Sequence, residues 1–228
     1  MRDLVWRESS GLSPVRRAIA SGCRGSRLYD RGQMRARGAA TVITAALLLA
    51  GCGSSKSSSS TSSSSSSNSA RTATAGQRVS GRDGGFTTIL PTGFTDATQR
   101  ANTGTVNIQF AASAAPANGF ATNINVIRSQ VRAGTDISQL TDRELAVLRK
   151  QLPSAHQFSR TTSTTVAGQP ARELDYIAAP LRRVQLHIRQ VFVVNNSFAY
   201  TITYTALPST YSSQLSALDQ VLSAWRWT

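Results

Sequence analysis

Residues 183–194 (RVQLHIRQVFVV) and 198–205 (FAYTITYT) decide the fold of this chain. Both segments are rich in β-branched and aromatic residues and read as strands. Between them, Asn195-Asn196 are residues that tolerate the positive φ of a tight hairpin. Just upstream, residues 158–166 and 171–177 flank a Gly168-Gln169-Pro170 turn and read as a second hairpin. Four antiparallel strands in succession are therefore expected.

Working outward, the period changes on both sides of these strands. Ile137, Leu140, Leu145, Leu148 and Leu152 recur at helical spacing, Thr141 with Glu144 resembles a capping box, and Pro153 stops the helix. After the strands, residues 209–225 carry Tyr211, Leu215, Leu218, Leu222 and Trp225 as an apolar stripe, with Pro208 near the start. Nearer the N-terminus, residues 86–90 form a short strand ended by Pro91-Thr92-Gly93. Residues 105–111 alternate, with Val106, Ile108 and Phe110 on one face, and residues 121–128 continue the pattern with Ile124 and Val126. The expectation is an α/β (α+β) fold, an antiparallel sheet flanked by helices, over residues 81–228. A single domain of that size can bury a real core.

The chain before residue 81 is of a different kind. Residues 41–50 are apolar and about the length of a signal-peptide core, whereas a spanning helix needs ~20 residues. They end in Leu49-Ala50-Gly51-Cys52, which resembles the bacterial lipobox. In such a motif the cysteine thiol receives a diacylglyceryl group and cleavage falls between Gly51 and Cys52. Met34, Arg35 and Arg37 make a compact positive segment upstream, so residues 34–51 read as a lipoprotein signal peptide. A buried core helix or an uncleaved anchor is the alternative, but low-complexity serine follows at once. Residues 1–33 are arginine-rich without apolar periodicity; they fit a start placed ahead of Met34, or an unusually long leading segment. Arg16-Arg17 lies too far from the apolar run to read well as a twin-arginine signal. Residues 52–80 follow as the lipidated cysteine and a serine-rich tether. Too little of it can bury surface to offset its ordering entropy, and its reach is roughly 30 Å.

The formal charge of +14 would suggest a nucleic-acid binder if taken whole. Partition removes that suggestion: residues 1–52 carry +6, residues 53–80 carry +3, and residues 81–228 carry +5. The folded part is mildly basic, which favours an anionic envelope surface and gives no case for nucleic acid. Cys23 and Cys52 are the two cysteines, so residues 81–228 can form neither a disulfide nor a thiolate metal site.

Candidate chemistry is sparse. His156 and His187 lack the clustered partners a zinc site needs, so no metal and no cofactor are expected. No Gly-x-Ser-x-Gly elbow and no phosphate-binding glycine loop occurs. Glu173 and Asp175 share one strand face by alternation, as do Arg183, Gln185, His187 and Arg189. If polar positions lie opposite, acids meet bases, at ~0.2–1 kcal/mol per pair. A sharper possibility is an anion-binding ridge of Arg172, Arg182, Arg183 and Arg189, suited to phospholipid headgroups or an acidic partner. Phe198, Tyr200, Tyr204 and Trp225 are core candidates, or the lining of an apolar pocket between sheet and last helix.

The order of elements, with three local stretches, resembles the PsbP-like α/β/α sandwich and within it the LpqN-type lipoproteins of actinobacteria. The stretches are Gly85-Phe86-Thr87-Thr88-Ile89-Leu90-Pro91-Thr92-Gly93-Phe94, Val166-Ala167-Gly168-Gln169-Pro170-Ala171 leading to Leu174 and Tyr176, and Leu222-Ser223-Ala224-Trp225-Arg226-Trp227. These motifs carry architecture and not catalysis. The resemblance implies a non-enzymatic assembly or accessory role, or the binding of proteins or small ligands. The expectation is a membrane-anchored envelope lipoprotein, held on the extracytoplasmic face through lipid on Cys52, with a non-catalytic binding or scaffolding domain. Carriage or sensing of a small lipid or apolar ligand is the alternative, and a hydrolase with an unrecognised site is a third.

Overall fold

The computed structural model describes residues 76–228 apart from Thr105, Arg182 and Arg183, with only the backbone of Pro180 and Leu181. The expectations for residues 1–33, 34–51 and Cys52 lie outside the described residues. The tether was expected to run to residue 80, and the structure corrects that end. Strand β1 (Arg78–Ser80) pairs with β2 (Phe86–Ile89), and Val79 packs on the core. A three-residue strand with one apolar side chain has no period to read, so its partner reveals it.

The chain continues through β3 (Phe94–Asp96), the single turn α1 (Thr98–Ala101), β4 (Ile108–Ala114), β5 (Asn123–Gln130) and α2 (Ile137–Gln151). Four strands follow, as expected: β6 (Thr162–Val166), β7 (Gln169–Leu181), β8 (Val184–Asn195) and β9 (Phe198–Ala206). Helices α3 (Pro208–Gln214) and α4 (Ser216–Ser223) and strand β10 (Arg226–Trp227) close the chain. Seven strands form one antiparallel sheet in the order β3-β4-β5-β9-β8-β7-β6, and β1-β2-β10 form a small second sheet.

The large sheet is sided by its period of two. Phe110, Ile124, Val126, Val191, Val193, Ile202 and Tyr204 face α3, α4 and the small sheet, forming the larger core. On the other face Leu174, Tyr176, Leu186, Ile188 and Phe192 meet Leu148 of α2. A small cluster under α1 joins Ala97, Ala101, Ile108, Ala111 and Ile127. Helices on both faces of an antiparallel sheet make the expected α/β/α sandwich.

Four local readings change. Ile108 pairs with Ile127 while Phe110 pairs with Val126, so a bulge between them sends Ile108 and Phe110 to opposite faces. The strand expected from residue 158 starts at Thr162, because Gln157 takes φ 52° and breaks the run along β7 after the His156–Ile177 bridge. The cap of α2 is Asp136, whose side chain accepts from the Gln139 N–H at 2.9 Å. Thr141 and Glu144 are therefore no capping box: Thr141 donates to the Ile137 carbonyl at 2.7 Å, and Glu144 lies buried inside the helix. Finally, the expected helix over 209–225 is two helices meeting at Leu215, where the Leu218 N–H reaches the Leu215 carbonyl in a tighter turn. Ser209, Thr210, Ser212 and Ser213 are weak helix formers with little to resist that break.

The β6–β7 hairpin turns on Ala167-Gly168, at φ 46° and 80°, so Gln169 and Pro170 belong to the strand that follows. Both loop residues of such a turn need positive φ, and alanine meets that need at a cost. Ala167→Asn should raise stability by about 1 kcal/mol, whereas Ala167→Val should lower it, both read from urea midpoints at unchanged slope.

Candidate functional site

Strands β7 and β8 set Asp175 directly opposite Arg189, and Ile177 opposite His187. Acids on one strand thus meet bases on the other. Arg189 grips Asp175 with two nitrogens, Nε and Nη2, each at 3.1 Å, and reaches Glu173 with Nη1 at 3.3 Å. His187 Nε2 lies 3.7 Å from the same Asp175 carboxylate. Helix α3 completes the cluster from above: the Tyr211 hydroxyl donates to Asp175, and its ring stacks on His187 with centroids 3.4 Å apart. Tyr204 donates to the Tyr211 backbone carbonyl at 2.8 Å, fixing the helix over the sheet.

The electrostatics follow from partial burial plus mutual pairing. Burial pushes the Glu173 carboxyl up, opposed by Arg189 and reinforced by Asp175 and Asp219. Burial pulls His187 below its ordinary value, with Asp175 opposing and Arg189 assisting. For Arg189 burial disfavours the charge, yet the hydrogen bond and charge of Asp175, with Tyr211 and Glu173, hold the guanidinium more firmly protonated than usual. Tyr211 and Tyr204 are pushed up chiefly by burial, so both stay neutral phenols. The arrangement is one cation and two carboxylates locked together beneath a tyrosine.

The anion-binding ridge does not form as one surface. Arg189 faces α3 with Asp175, but Arg172 projects from the opposite face of the sheet, in phase with Leu174 and Tyr176. Arg172 donates to the Ser163 hydroxyl at 3.3 Å. Alternation forbids residues 172 and 189 a shared face in this register, and Arg182 and Arg183 lie outside the described residues. The aromatic candidates share one core. Trp225 stacks on Phe86 at 3.9 Å, Tyr200 meets Phe86 edge-on at 5.9 Å, and Tyr204 is fully buried; they are core. Phe198 packs on the edge of the same core, with the Arg128 guanidinium 4.2 Å from its ring centroid. His156 sits at the bridge to β7 with Nδ1 2.9 Å from the Ser154 carbonyl. Among the described residues no group of three metal-ligating side chains comes together.

In the sequence Tyr211 is one residue of an apolar stripe. Its hydroxyl role was invisible because strand register decides which acid lies beneath it. Replacing Arg189 by Met leaves Glu173 and Asp175 side by side on β7 without their cation. The expected loss is about 1–3 kcal/mol near neutral pH, discounted from a fully buried pair because these side chains retain some exposure. The loss should shrink as pH falls through the carboxylate range, since the uncompensated acids then take up protons. Urea unfolding of both proteins at pH 7 and pH 4 checks size and sign together.

The fold recurs in proteins of distant sequence. No curated protein matches this sequence significantly. The solution structure of the cyanobacterial PsbP protein CyanoP from Synechocystis superposes with a TM-score of 0.51 at 15% identity, covering 73% of this chain and 98% of that one. The crystal structure of LpqN from Mycobacterium tuberculosis superposes with a TM-score of 0.52 at 18% identity, covering 67% of this chain and 90% of that one. The fold is thus PsbP-like. The model of the DcrB family matches residues 86–224, from β2, the central strand of the small sheet, to just past the end of α4. Because that match takes in more than half of the 228 residues, the chain belongs to the DcrB family.

Proposed function

We propose that this protein is a lipid-anchored, cell-envelope accessory protein whose DcrB-family domain binds or scaffolds and performs no catalysis. The observation that carries the reading is Leu49-Ala50-Gly51-Cys52 standing on a serine-rich stretch ahead of a PsbP-like domain. LpqN, the structural neighbour from Mycobacterium tuberculosis, is described as involved in cell envelope biogenesis, which supports the same compartment. No helix among the described residues is long and apolar enough to cross a membrane. Attachment in this reading rests on the lipid: one acyl chain anchors marginally and two hold stably.

The non-catalytic half of the reading is supported by how the polar groups are used. A general base needs a free lone pair aimed at a reacting atom. His187 instead stacks on Tyr211 beside Asp175, and both carboxylates of the cluster are occupied by Arg189. Such a cluster fastens α3 to the sheet.

Metabolic labelling with a palmitate analogue in a bacterial host tests the anchor. The wild-type chain should carry label and sediment with membranes, whereas Cys52→Ala should lose both. Label and membrane residence retained by the variant would exclude Cys52 as the attachment point.

A further inference from the structure

Among the described residues four strands end a sheet: β3 and β6 in the large one, β1 and β10 in the small one. A sheet edge offers unpaired backbone N–H and C=O groups to any extended chain, and proteins guard it with short strands, charges or prolines. Strands β1, β3 and β10 are guarded in this way. Each runs two or three residues and carries a charge, on Arg78, Asp96 and Arg226 respectively. Strand β6 is not guarded. It runs five residues, Thr162-Ser163-Thr164-Thr165-Val166, with no charge and no proline. All but Ser163 are β-branched, which suits a pleated strand.

Register shows which backbone groups of β6 are free. The odd-numbered residues of β7 turn their backbone towards β6. Ile177 exchanges both hydrogen bonds with His156, at 2.7 and 2.9 Å, and the Asp175 carbonyl accepts from the Ser159 N–H at 2.9 Å. Thr162, Thr164 and Val166 lie opposite Glu173, Ala171 and Gln169, so these three hold the ladder to β7. Ser163 and Thr165 therefore turn N–H and C=O outward, and both residues are exposed. Val166 is buried in the larger core, so by alternation Thr164 lies on the α3 and α4 side.

We propose that β6 is a self-association edge, pairing antiparallel with β6 of a second copy about a two-fold axis through Thr164. The strand is self-complementary in that register. Ser163 meets Thr165 of the second copy and exchanges both backbone hydrogen bonds with it, and the two-fold repeats the exchange. Thr164 meets its own counterpart at a non-hydrogen-bonded position, where side chains come closest and Thr–Thr pairs are favourable. No like charges oppose each other across the strands, because Arg160, the nearest charge along the chain, falls opposite Gly168. Such an isologous contact uses one patch twice and closes at two copies. A two-fold normal to the sheet also preserves its faces. The small sheet, where the described chain begins, then lies on the same side in both copies. Both serine-rich segments leave on that side, as anchorage of the pair in one bilayer would require. A single strand pair makes a small interface of the weak, transient class, and the pairing itself does not depend on the lipid.

Disulfide trapping in the full chain in detergent, with Cys23→Ser and Cys52→Ser removing the other thiols, tests both the contact and its register. Across the proposed axis the two Thr164 Cα atoms are ~4.5 Å apart, within disulfide reach. The two Thr162 Cα atoms are more than about 13 Å apart, beyond it. Under mild oxidation Thr164→Cys should give at least tenfold more covalent dimer than Thr162→Cys; shared micelles affect both alike. Thr165→Pro removes an outward N–H that β7 does not use, so adding it to Thr164→Cys should cut the yield at least tenfold at an unchanged urea midpoint. If that proline disturbs the fold, the comparison of the two cysteine positions still decides. Equal yields at the two positions, no dimer from Thr164→Cys, or an undiminished yield with Thr165→Pro would each overturn the proposal.

Discussion

Trp225 closes the molecule. It is fully buried, stacked on Phe86 and edge-on to Tyr200, so one indole joins the end of the chain, the small sheet and a central strand of the large one. The contacts around it depend on that closure. Strand β10 can pair with β2 only if the chain turns out of α4 at Trp225, and Thr88 of β2 can donate to the Val221 carbonyl only while α4 lies over it. Large aromatics bury 150–250 Å² each and gain further from ring geometry. The small sheet, with strands of two to four residues, has little stability of its own. It persists because Phe86 of its central strand, and Leu90 just beyond that strand, belong to the common core.

Once that side of the sheet is filled by aromatic and aliphatic groups, the other side inherits the polar residues of the same strands. Ile124 and Val126 face one core while Asn123 and Asn125 face away from it, and Ile202 and Tyr204 are matched by Thr201, Thr203 and Thr205. An exposed face would make this ordinary alternation. Here the polar members are buried as well, so the sheet carries one face that is satisfied by packing and one that is only partly satisfied by hydrogen bonds. This asymmetry separates the two polar regions of the molecule. The Arg189 cluster is paired throughout and acts as a clasp, whereas several buried polar atoms on the other face find no side-chain partner in the fold.

Much of the sandwich was legible because it rests on periodicity. Strands β7, β8 and β9 and helix α2 follow from runs long enough to show their period, and the opposition of Asp175 to Arg189 follows from alternation once the hairpin is granted. What escaped was whatever a single residue decides against its neighbours: the bulge at Gln109, the positive φ of Gln157, the one-residue signal of Val79. The arginine ridge failed for the same reason, since residues 172 and 189 differ in parity only after the register is known. Glu144 was misassigned because a threonine and a glutamate three apart fit a capping box as well as a buried helix face. Only the position of Asp136, which takes the cap, distinguishes them.

Burial of Glu144 also has a direction in pH. Its folded value of about 7 lies above the ordinary carboxylate value, so the native state binds more protons than the unfolded chain between roughly pH 4.5 and 7. The stabilisation from keeping this acid neutral is complete below that window and is lost as pH rises through it. A clasp such as Asp175–Arg189 cannot behave in this way, since both of its charges are already present in the native state. The two acids therefore differ in where the counter-charge lies: Asp175 finds it in Arg189 within the fold, whereas burial holds Glu144 neutral up to about pH 7.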